Sequence, residues 1–400
     1  MKLYVAMVGL PARGKSTLAK RIMAGLSQQG IRTSIFNNGE LRRKLHGTAS
    51  SVAEFFNASN ETARHMREQI AMQNMQRARN WLQAGGDVAI IDATHGSLHQ
   101  RNVLTEVLND FPVLFIECIN NDPLLLAASI QRKTKLPEFA WLSEEEASKQ
   151  FYKRIAYYEN VYEPLKRERC WIRVDAVDNR IQAEAPSNDL PYYAAIRDIV
   201  STRWVQNLYL VRHGESEYNT ENRIGGDSPL TGKGQEQALD LARHFDGVDI
   251  PFIFLSSKCR SRQMAAPLLK SRPQCVCKVL DEFDEIDAGI CEGMSYNEIR
   301  ESMPLEYEAR KRNKFSYVYP KGESYAMLKT RVARGLRRAL FLSGEDSVMI
   351  VGHQAINRVI LSLFLFQRDQ DVPYIYIPQN QYYHISVTQR KKVFEMVPYS

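Results

Sequence analysis

This chain of 400 residues lacks several features, and each absence argues against a class of protein. No run of about 18 apolar residues occurs, so a membrane-spanning helix is not expected. The six cysteines are scattered, and the close pair Cys275 and Cys277 has no matching pair of Cys or His residues to complete a zinc site. The first residues show no apolar segment followed by a cleavage site. We therefore expect reduced thiols and a soluble protein of the cytoplasm.

Charge is only modestly unbalanced, with 53 Lys and Arg residues against 46 Asp and Glu residues and a formal net charge of +7. The excess is not gathered in a polybasic tail, and no array of aromatic and basic residues suited to stacking bases occurs. Arginines instead stand beside glycines and histidines, which favours phosphorylated small molecules as ligands. We expect no nucleic-acid partner and no membrane partner. The sequence leaves the oligomeric state open, and a homodimer is one expectation.

The length suggests two domains, because 400 residues exceed what one ordinary hydrophobic core supports. Both halves alternate strand-like and helix-like segments with short connections, a pattern that indicates parallel sheets flanked by helices. The predicted fold class is therefore α/β, with two α/β domains over residues 1–204 and 205–400. Within the first domain, residues 178–204 are interpreted as a polar insert (178–190) that leads into a connecting helix (191–203).

The first domain opens with a phosphate-binding motif. Residues 2–8 predict a strand and residues 17–29 a helix, and the loop between them reads G-x-x-x-x-G-K-S. Backbone amides of such a loop cradle phosphates, while Lys15 would reach the β- and γ-oxygens of ATP and the Ser16 hydroxyl would hold Mg²⁺. The candidate nucleotide-binding residues are Gly9, Leu10, Pro11, Ala12, Arg13, Gly14, Lys15, Ser16 and Thr17.

A strand-end acid and a pair of arginines accompany this loop. The apolar run 88–91 ends at Asp92, which is typical of an acid that orders magnesium or orients an acceptor hydroxyl. Arg42 and Arg43 follow another predicted strand and could grip a second anion, although a solvated helix start fits the pattern equally well. The motif alone leaves the substrate open, from a nucleotide to a sugar phosphate, and it also occurs in nucleotide switches.

The second domain is organised around two histidines that each follow a predicted strand. The apolar run 208–211 ends at Arg212 and His213, and the run 348–351 ends at a glycine followed by His353. Because parallel strands end at the same edge of a sheet, the two histidines are expected to lie close together. A neutral imidazole can attack phosphorus if cations neutralise the phosphoryl oxygens and an acid, here Glu285, protonates the leaving oxygen. The alternative is a pair of histidines satisfied within the core.

A series of segments carries a resemblance over nearly the whole chain: GLPARGKS, GELRR, DAT, RIAYYENVYEPL, YLVRHGESEYN, RIGGDSPL, EIDAGICEGMSYNEIR, YPKGESY and GHQAINR. In this order they resemble the bifunctional 6-phosphofructo-2-kinase/fructose-2,6-bisphosphatase family. The resemblance implies an N-terminal P-loop kinase sheet and a C-terminal histidine phosphatase sheet of the phosphoglycerate-mutase-like kind. It also implies transfer of the ATP γ-phosphoryl group to the 2-hydroxyl of fructose 6-phosphate. The second domain would hydrolyse fructose 2,6-bisphosphate through a phosphohistidine at His213.

The resemblance further implies roles for residues at matching positions. In the kinase, Lys15, Ser16 and Asp92 would serve ATP and magnesium, and Lys133 competes with Lys135 for the position of a substrate-binding lysine. Fructose 6-phosphate would be bound by Arg42, Arg43, Arg67, Thr94, Lys135, Arg154 and Tyr158. In the phosphatase, the transferred phosphoryl group would be held by Arg212, Asn219 and His353. The remaining substrate-binding positions would be Gly225, Tyr296, Arg310, Lys314, Tyr325, Gln354 and Arg358.

One segment departs from the family pattern. Its S-x-x-x-R-T element, read from Ser257, places Ser261 where an arginine usually clamps the phosphoryl group. Loss of that guanidinium would weaken transition-state binding, so a kinase-dominant enzyme is expected unless Arg260 or Arg262 substitutes. Two other functions stay open: the same folds acting on a different sugar or polyol phosphate, and a P-loop nucleotide switch.

Overall fold

The computed structural model describes residues 1–186, 189–202, 205–344, 347–365, 368–387 and 392–399. The chain divides into two compact units, Met1–Arg203 and Trp204–Ser400. In the described part of the chain, each unit contains one six-stranded sheet accompanied by helices, so the predicted α/β fold class is confirmed. Among the described residues, no helix combines the length and the hydropathy needed to cross a membrane.

The first sheet has apolar central strands that are covered on both faces. Its strands are β1 (Leu3–Val8), β2 (Thr33–Asn37), β3 (Val88–Asp92), β4 (Val113–Ile119), β5 (Trp171–Asp175) and β6 (Arg180–Ala185). They are ordered β2-β3-β1-β4-β5-β6, and every neighbouring pair is parallel except the antiparallel pair β5–β6. Because β1 and β3 are parallel neighbours, they deliver the glycine loop and Asp92 to the same edge of the sheet.

The helices of the first unit begin at residues that the helix-capping rules favour. Asn37, Asn60, Ser97, Asp122 and Ser143 each accept a hydrogen bond from a backbone amide in the first turn of the helix that follows. Such caps satisfy amides that have no partner inside the helix. The helices are α1 (Lys15–Ser27), α2 (Asn38–His46), α3 (Glu61–Gln83), α4 (Leu98–Val107), α5 (Pro123–Thr134), α6 (Glu144–Glu159) and α7 (Tyr193–Ser201).

The predicted insert and connecting helix are part of the first unit's architecture. Residues Arg180–Ala185 form the edge strand β6, which the polar composition of this stretch concealed. Helix α7 packs against α1 and buries Ile196 and Ile199 completely, so it belongs to the core rather than to a bare connection. Residues 187, 188, 203 and 204 of the predicted segment lie outside the described residues.

The second sheet places the two predicted histidines side by side. Its strands are β7 (Val205–Arg212), β8 (Phe252–Leu255), β9 (Val276–Val279), β10 (Val348–Gly352), β11 (Gln381–Val387) and β12 (Lys392–Pro398). Their order is β12-β11-β7-β10-β8-β9, with β11 and β12 antiparallel, so the prediction of wholly parallel sheets was wrong at this edge. Strands β7 and β10 are parallel, and Gly352 is opposite Arg212, so the residues that follow both strands share one edge.

The helices of the second unit support this edge. Helix α14 starts directly after His353 and buries Ile356, Val359 and Ile360 completely. Each such aliphatic side chain contributes roughly 1.5–3 kcal/mol of burial free energy, which fixes the helix start beside the sheet. The helices are α8 (Glu217–Thr220), α9 (Gly232–His244), α10 (Cys259–Lys270), α11 (Tyr296–Ser302), α12 (Pro304–Arg312), α13 (Tyr325–Ser343) and α14 (Gln354–Phe364).

Candidate active sites

His213 and His353 are neighbours at the carboxyl ends of β7 and β10. Their ring centroids are 5.1 Å apart, and the His213 amide donates to the Gly352 carbonyl at 3.1 Å. Both side chains are buried, with His213 3% exposed and His353 fully covered. The sequence prediction that the two histidines meet is confirmed.

The hydrogen bonds of His213 fix which ring nitrogen carries the lone pair. Its Nδ1 lies 2.7 Å from the Gly214 carbonyl, which can only accept, so Nδ1 carries the proton and Nε2 carries the lone pair. Burial lowers the pKa of His213 well below its usual range, and the charges of Arg260 and Arg212 lower it further. The imidazole is therefore neutral near pH 7, which a nucleophile toward phosphorus requires.

The ring nitrogen of His353 that has a protein partner is Nε2, whereas the one bonded to a carbonyl in His213 is Nδ1. The His353 Nε2 lies 2.7 Å from the Ser256 hydroxyl, which already accepts a hydrogen bond from the Lys258 amide at 3.2 Å. A hydroxyl both donates and accepts, so this contact fits a His353 ring protonated on either nitrogen. The Nδ1 atom of His353 is buried without a partner among the described residues, and burial lowers the pKa of His353 well below its usual range. When Nδ1 carries the proton, this unpartnered N–H beside His213 is suited to an oxyanion.

Arg260, and not Ser261, is the residue placed to clamp the phosphoryl group in the segment that departs from the family pattern. The Arg260 Nε lies 3.3 Å from His213 Nε2, and its Nη1 donates to the Gly226 carbonyl at 2.8 Å. Ser261 is one residue further along α10 and donates instead to the Val351 carbonyl at 2.6 Å. The prediction that Ser261 replaces a clamping arginine was wrong, because the element starts at Ser256 and its arginine is Arg260. Ser261 therefore gives no reason to expect that the kinase activity exceeds the phosphatase activity.

A cavity of about 540 Å³ opens in front of His213. The Glu285 carboxylate lines it and accepts hydrogen bonds from its neighbour Ile286 at 2.9 Å and from Ala355, in the first turn of α14, at 3.2 Å. The predicted residues that line the cavity are Arg212, His213, Asn219, Gly225, Glu285, Tyr296, Arg310, Lys314, Tyr325, Gln354 and Arg358. His353, which was predicted to hold the phosphoryl group, is fully buried next to His213 and does not line the cavity.

A second group of cations, Arg310, Lys314 and Arg358, lines this cavity. These cations donate hydrogen bonds to three tyrosine hydroxyls and to backbone carbonyls. Arg310 donates to the hydroxyls of Tyr319 at 2.7 Å and Tyr296 at 2.8 Å, and Arg358 donates to the Tyr325 hydroxyl at 3.2 Å. Lys314 donates to the Pro373 carbonyl at 3.3 Å. Burial, with the charges of Arg310 and Arg358, lowers the pKa of Lys314 to about 8. Together with Arg212 and Arg260, these cations suit a substrate with two phosphate groups.

In the first unit, residues 9–14 form the predicted loop between β1 and α1, and α1 begins at Lys15, two residues earlier than predicted. Gly9 has φ +135° and a side-chain carbon there would lie 2.6 Å from the Cys118 carbonyl, so only glycine fits. The Lys15 Nζ donates to the carbonyls of Gly9 and Leu10, each at 2.7 Å. Burial lowers the pKa of Lys15 to about 8, opposed by the charge of Asp92. A phosphate bound by the loop would favour the protonated form.

The residues predicted for magnesium fit that ion. Asp92 is buried at the end of β3, accepts a hydrogen bond from the Asn37 amide and acts electrostatically on Lys15, which precedes Ser16. Within the described residues, no group of three His, Cys, Asp or Glu side chains could cage a metal ion. Magnesium rarely needs such a cage, because it takes one or two protein oxygens and completes its octahedron with water and phosphate oxygens.

Two buried arginines stack on one aromatic ring near the P-loop lysine. The guanidinium carbon of Arg154 lies 3.9 Å from the centroid of Phe56, and that of Arg42 lies 5.0 Å from it. Their Nε atoms are buried without a partner among the described residues, and burial lowers the pKa of both groups, that of Arg42 to about 9. The charge of Arg154 also acts on Lys15. Buried guanidinium nitrogens with no acceptor are suited to an oxyanion.

The remaining predicted substrate-binding residues of the first unit make contacts with other parts of that unit. Tyr158 hydrogen-bonds Arg154 and has its ring 5.8 Å from Phe56. Arg67 donates to the Phe55 carbonyl, and the Thr94 carbonyl accepts from Gly9 at 3.1 Å. Arg43 pairs with Glu138 at 2.8 Å.

The choice of Lys135 over Lys133 is not supported by the structure. Lys135 ends α5, has a side chain that is 57% exposed and pairs with Glu144 at 3.3 Å. Lys133 is largely covered, and the charges of Asp92 and Arg154 act on it. Burial lowers the pKa of Lys133, as it does for Lys15. Lys133 therefore belongs with the phosphate loop, and Lys135 belongs to the surface.

Sequence reasoning missed three residues of the second site and named a fourth, Arg260, only as a possible substitute. Tyr319 and Gln379 line the cavity with Arg260, and the Ser256 hydroxyl contacts His353 Nε2 at 2.7 Å. If the S-x-x-x-R-T element had been read from Ser256 instead of Ser257, Ser256 and Arg260 would have been identified. Gln379 carried no signal, because it lies 165 residues from the Gly214 carbonyl that it contacts.

Comparison with known proteins finds a family match in each half of the chain. The family described as 6-phosphofructo-2-kinase matches residues 1–185, and the histidine phosphatase superfamily (branch 1) matches residues 208–398. The solved alpha-ribazole phosphatase from Shigella flexneri covers 48% of this chain and 96% of its own, with 22% identity and a TM-score of 0.45.

Curated relatives are similar over both units. The 6-phosphofructo-2-kinase/fructose-2,6-bisphosphatase 3 of Rattus norvegicus is 34% identical over 389 residues, covering 94% of this chain and 68% of the relative. The 6-phosphofructo-2-kinase/fructose-2,6-bisphosphatase of Caenorhabditis elegans is 33% identical over 399 residues, covering 94% and 84%. Since such identity spans both the kinase and the phosphatase regions, the chain belongs to the 6-phosphofructo-2-kinase/fructose-2,6-bisphosphatase family.

Proposed function

We propose that this chain makes and hydrolyses fructose 2,6-bisphosphate. The observation that carries the proposal is the pair of anion sites: a P-loop with buried Arg42 and Arg154 in one unit, and His213 facing Arg260 in the other. Membership of the family supports ATP as the phosphoryl donor. The same folds acting on another sugar or polyol phosphate, and a P-loop switch, are the competing functions.

In the kinase, the loop amides and Lys15 would hold the phosphates of ATP. Ser16 and Asp92 would hold Mg²⁺, which when bound offsets phosphate charge. The residues proposed to bind fructose 6-phosphate are Arg42, Arg43, Arg67, Thr94, Lys133, Arg154 and Tyr158. Of these, Arg42 and Arg154 would pair with the 6-phosphate, since their Nε atoms otherwise have no acceptor. This leaves the 2-hydroxyl free to attack the γ-phosphorus. The bond from the C2 oxygen to phosphorus forms as the bond from that phosphorus to the β-phosphate oxygen breaks, so ADP leaves and the hydroxyl proton passes to solvent.

In the phosphatase, His213 Nε2 would attack the 2-phosphate. The N–P bond forms as the bond between phosphorus and the C2 oxygen breaks, and Glu285 gives its proton to that oxygen. Arg212, Arg260 and Asn219, which line the cavity, would stabilise the charge on the phosphoryl oxygens, and the buried ring of His353 would support His213 beside them. Water then attacks the phosphohistidine with Glu285 as base, and inorganic phosphate leaves.

The other end of the cavity would hold the sugar and its 6-phosphate. Arg310, Lys314 and Arg358 supply charge, and their hydrogen bonds to phenols and carbonyls fix their positions. The residues proposed for this part are Gly225, Tyr296, Arg310, Lys314, Tyr325, Gln354 and Arg358. They would act as binding groups rather than as catalytic ones.

The lowered pKa of Lys314 predicts a pH-dependent affinity. Because its pKa is about 8, Lys314 loses its charge in the free enzyme between pH 7 and 9, whereas the 6-phosphate stays dianionic. The KM for fructose 2,6-bisphosphate should rise by up to about tenfold over that range. Lys314→Arg, which stays charged, should flatten the rise. Steady-state phosphatase kinetics test this, and equal slopes in both proteins would contradict it.

A matched pair of variants tests the position of Lys133. Lys133→Ala removes a buried cation near Asp92 and should lower the kinase kcat/KM by about 10- to 100-fold. Lys135→Ala removes an exposed lysine and should change it less than about twofold. Coupled assays of ADP release give both values. A larger loss in Lys135→Ala would restore the original choice.

The direct test of the function is incubation with ATP, magnesium and fructose 6-phosphate, followed by phosphorus NMR. The proposal expects a new phosphate on C2. A product on another carbon or another acceptor would favour the first competing function. No ATP consumption with any sugar phosphate, together with nucleotide-dependent binding of a protein, would favour the switch. A cytoplasmic location and a homodimer stay predictions.

A further inference from the structure

Gln379 reaches the nucleophile from a distant part of the second unit. It lies in the loop that precedes β11, and its Nε2 donates to the Gly214 carbonyl at 3.2 Å and to Asn219 Oδ1 at 2.8 Å. The Tyr399 hydroxyl donates to the Gln379 backbone carbonyl, which anchors the segment. The side chain is half-buried and lines the cavity.

The bond from Gln379 to the Gly214 carbonyl affects the orientation of the His213 ring. The Gly214 carbonyl that Gln379 contacts is also the acceptor for His213 Nδ1 at 2.7 Å. That bond and the Arg260 Nε–H, which donates to His213 Nε2 at 3.3 Å, both keep the ring proton on Nδ1 and the lone pair on Nε2. By bonding the same oxygen from the other side, Gln379 fixes the direction of the carbonyl and hence the aim of Nε2 toward phosphorus.

The second bond bears on Asn219. Its Oδ1 accepts from the Ser216 amide at 3.1 Å and from Gln379 at 2.8 Å, so both lone pairs of the oxygen are engaged. The amide is thereby oriented with its Nδ2 donors available to the cavity, where a phosphoryl group needs donors and not an oxygen.

We propose that Gln379 is a positioning residue for formation of the phosphohistidine. It holds the ring proton of His213 on Nδ1 and turns the Asn219 amide toward the phosphoryl oxygens. The same segment supplies the Ile377 carbonyl that receives Arg212 at 2.9 Å, so one stretch of backbone supports three groups around the phosphorus. The proposal rests on the proposed phosphatase activity.

The test uses the full chain and 2-³²P-labelled fructose 2,6-bisphosphate in rapid-quench experiments. Gln379→Leu removes both donors at similar volume and should slow phosphoenzyme formation by about 10- to 100-fold, with KM within about twofold because the 6-phosphate end is untouched. The kinase rate should not change. Gln235→Leu, on the exposed face of α9, is the matched control and should match the wild type.

A second variant separates positioning from packing. Gln379→Glu keeps the shape but places a carboxylate against the Gly214 carbonyl, so its rate should be low at pH 8 and recover as the pH falls and the carboxyl regains a proton to donate. A rate that is low at every pH, or a KM that rises in parallel, would overturn the positioning role. Wild-type rates in Gln379→Leu would overturn it as well. Absence of label on the wild-type protein would overturn the proposed phosphatase itself, and with it this inference.

Discussion

Replacement of His213 by alanine is expected to lower hydrolysis of fructose 2,6-bisphosphate by at least about 10⁴-fold while synthesis continues at the wild-type rate. The variant removes the nucleophile, and His353 cannot replace it because its Nε2 is engaged by Ser256 at 2.7 Å. With synthesis intact and hydrolysis lost, the bisphosphate should accumulate in a mixture that contains ATP and fructose 6-phosphate.

The control for this variant is His99→Ala, which removes an exposed histidine of the first unit. It should leave both activities unchanged. Release of labelled phosphate from the C2 position measures hydrolysis, and ADP release measures synthesis. Hydrolysis within tenfold of the wild type in His213→Ala would assign the attack to another group or directly to water.

Arg260→Ala is expected to lower the phosphatase kcat/KM by about 10²- to 10³-fold, equivalent to roughly 2.7–4 kcal/mol of transition-state stabilisation. The reason is geometric: the Arg260 Nε lies 3.3 Å from His213 Nε2, so its charge faces the phosphorus that this nitrogen attacks. Arg262, two residues further along α10, is exposed, and Arg262→Ala should change kcat/KM by less than about twofold.

This pair of variants also decides the balance of the two activities. If Arg260 supplies the clamp, Ser261 is no defect, and turnover at the two sites need not differ for that reason. Steady-state kinetics of both variants at one pH and ionic strength give the comparison. A large loss in Arg262→Ala with little effect in Arg260→Ala would mean that α10 is rotated relative to the described geometry, and would revive the expectation of a dominant kinase.

The parts of the fold that follow from local sequence were predictable. The glycine loop between β1 and α1 has a fixed spacing, and His213 and His353 each follow an apolar run, so parallel pairing had to bring them together. The antiparallel strands β6, at the edge of the first sheet, and β11 and β12, at one side of the second sheet, were not predictable in this way. Their residues are less uniformly apolar, and their direction depends on turns and on neighbours distant in the chain.

The wrong predictions of site residues arose where a shift of one or two positions along a helix decides which side chain reaches the site. Successive residues of a helix point about 100° apart, so Arg260 reaches His213 while Ser261 turns to a strand carbonyl. Lys133 and Lys135 differ in the same way at the end of α5. Motif matching identifies such positions only if the register is correct to one residue.

One experiment follows a single phosphoryl group through both sites. The purified chain is mixed with γ-³²P-labelled ATP, magnesium and fructose 6-phosphate, quenched at intervals in alkali, which preserves phosphohistidine, and analysed for label on sugar and protein. The account predicts that label appears first at C2 of the sugar, then on His213, and last as inorganic phosphate. Label on C1, or release of phosphate with no labelled histidine on the way, would contradict it.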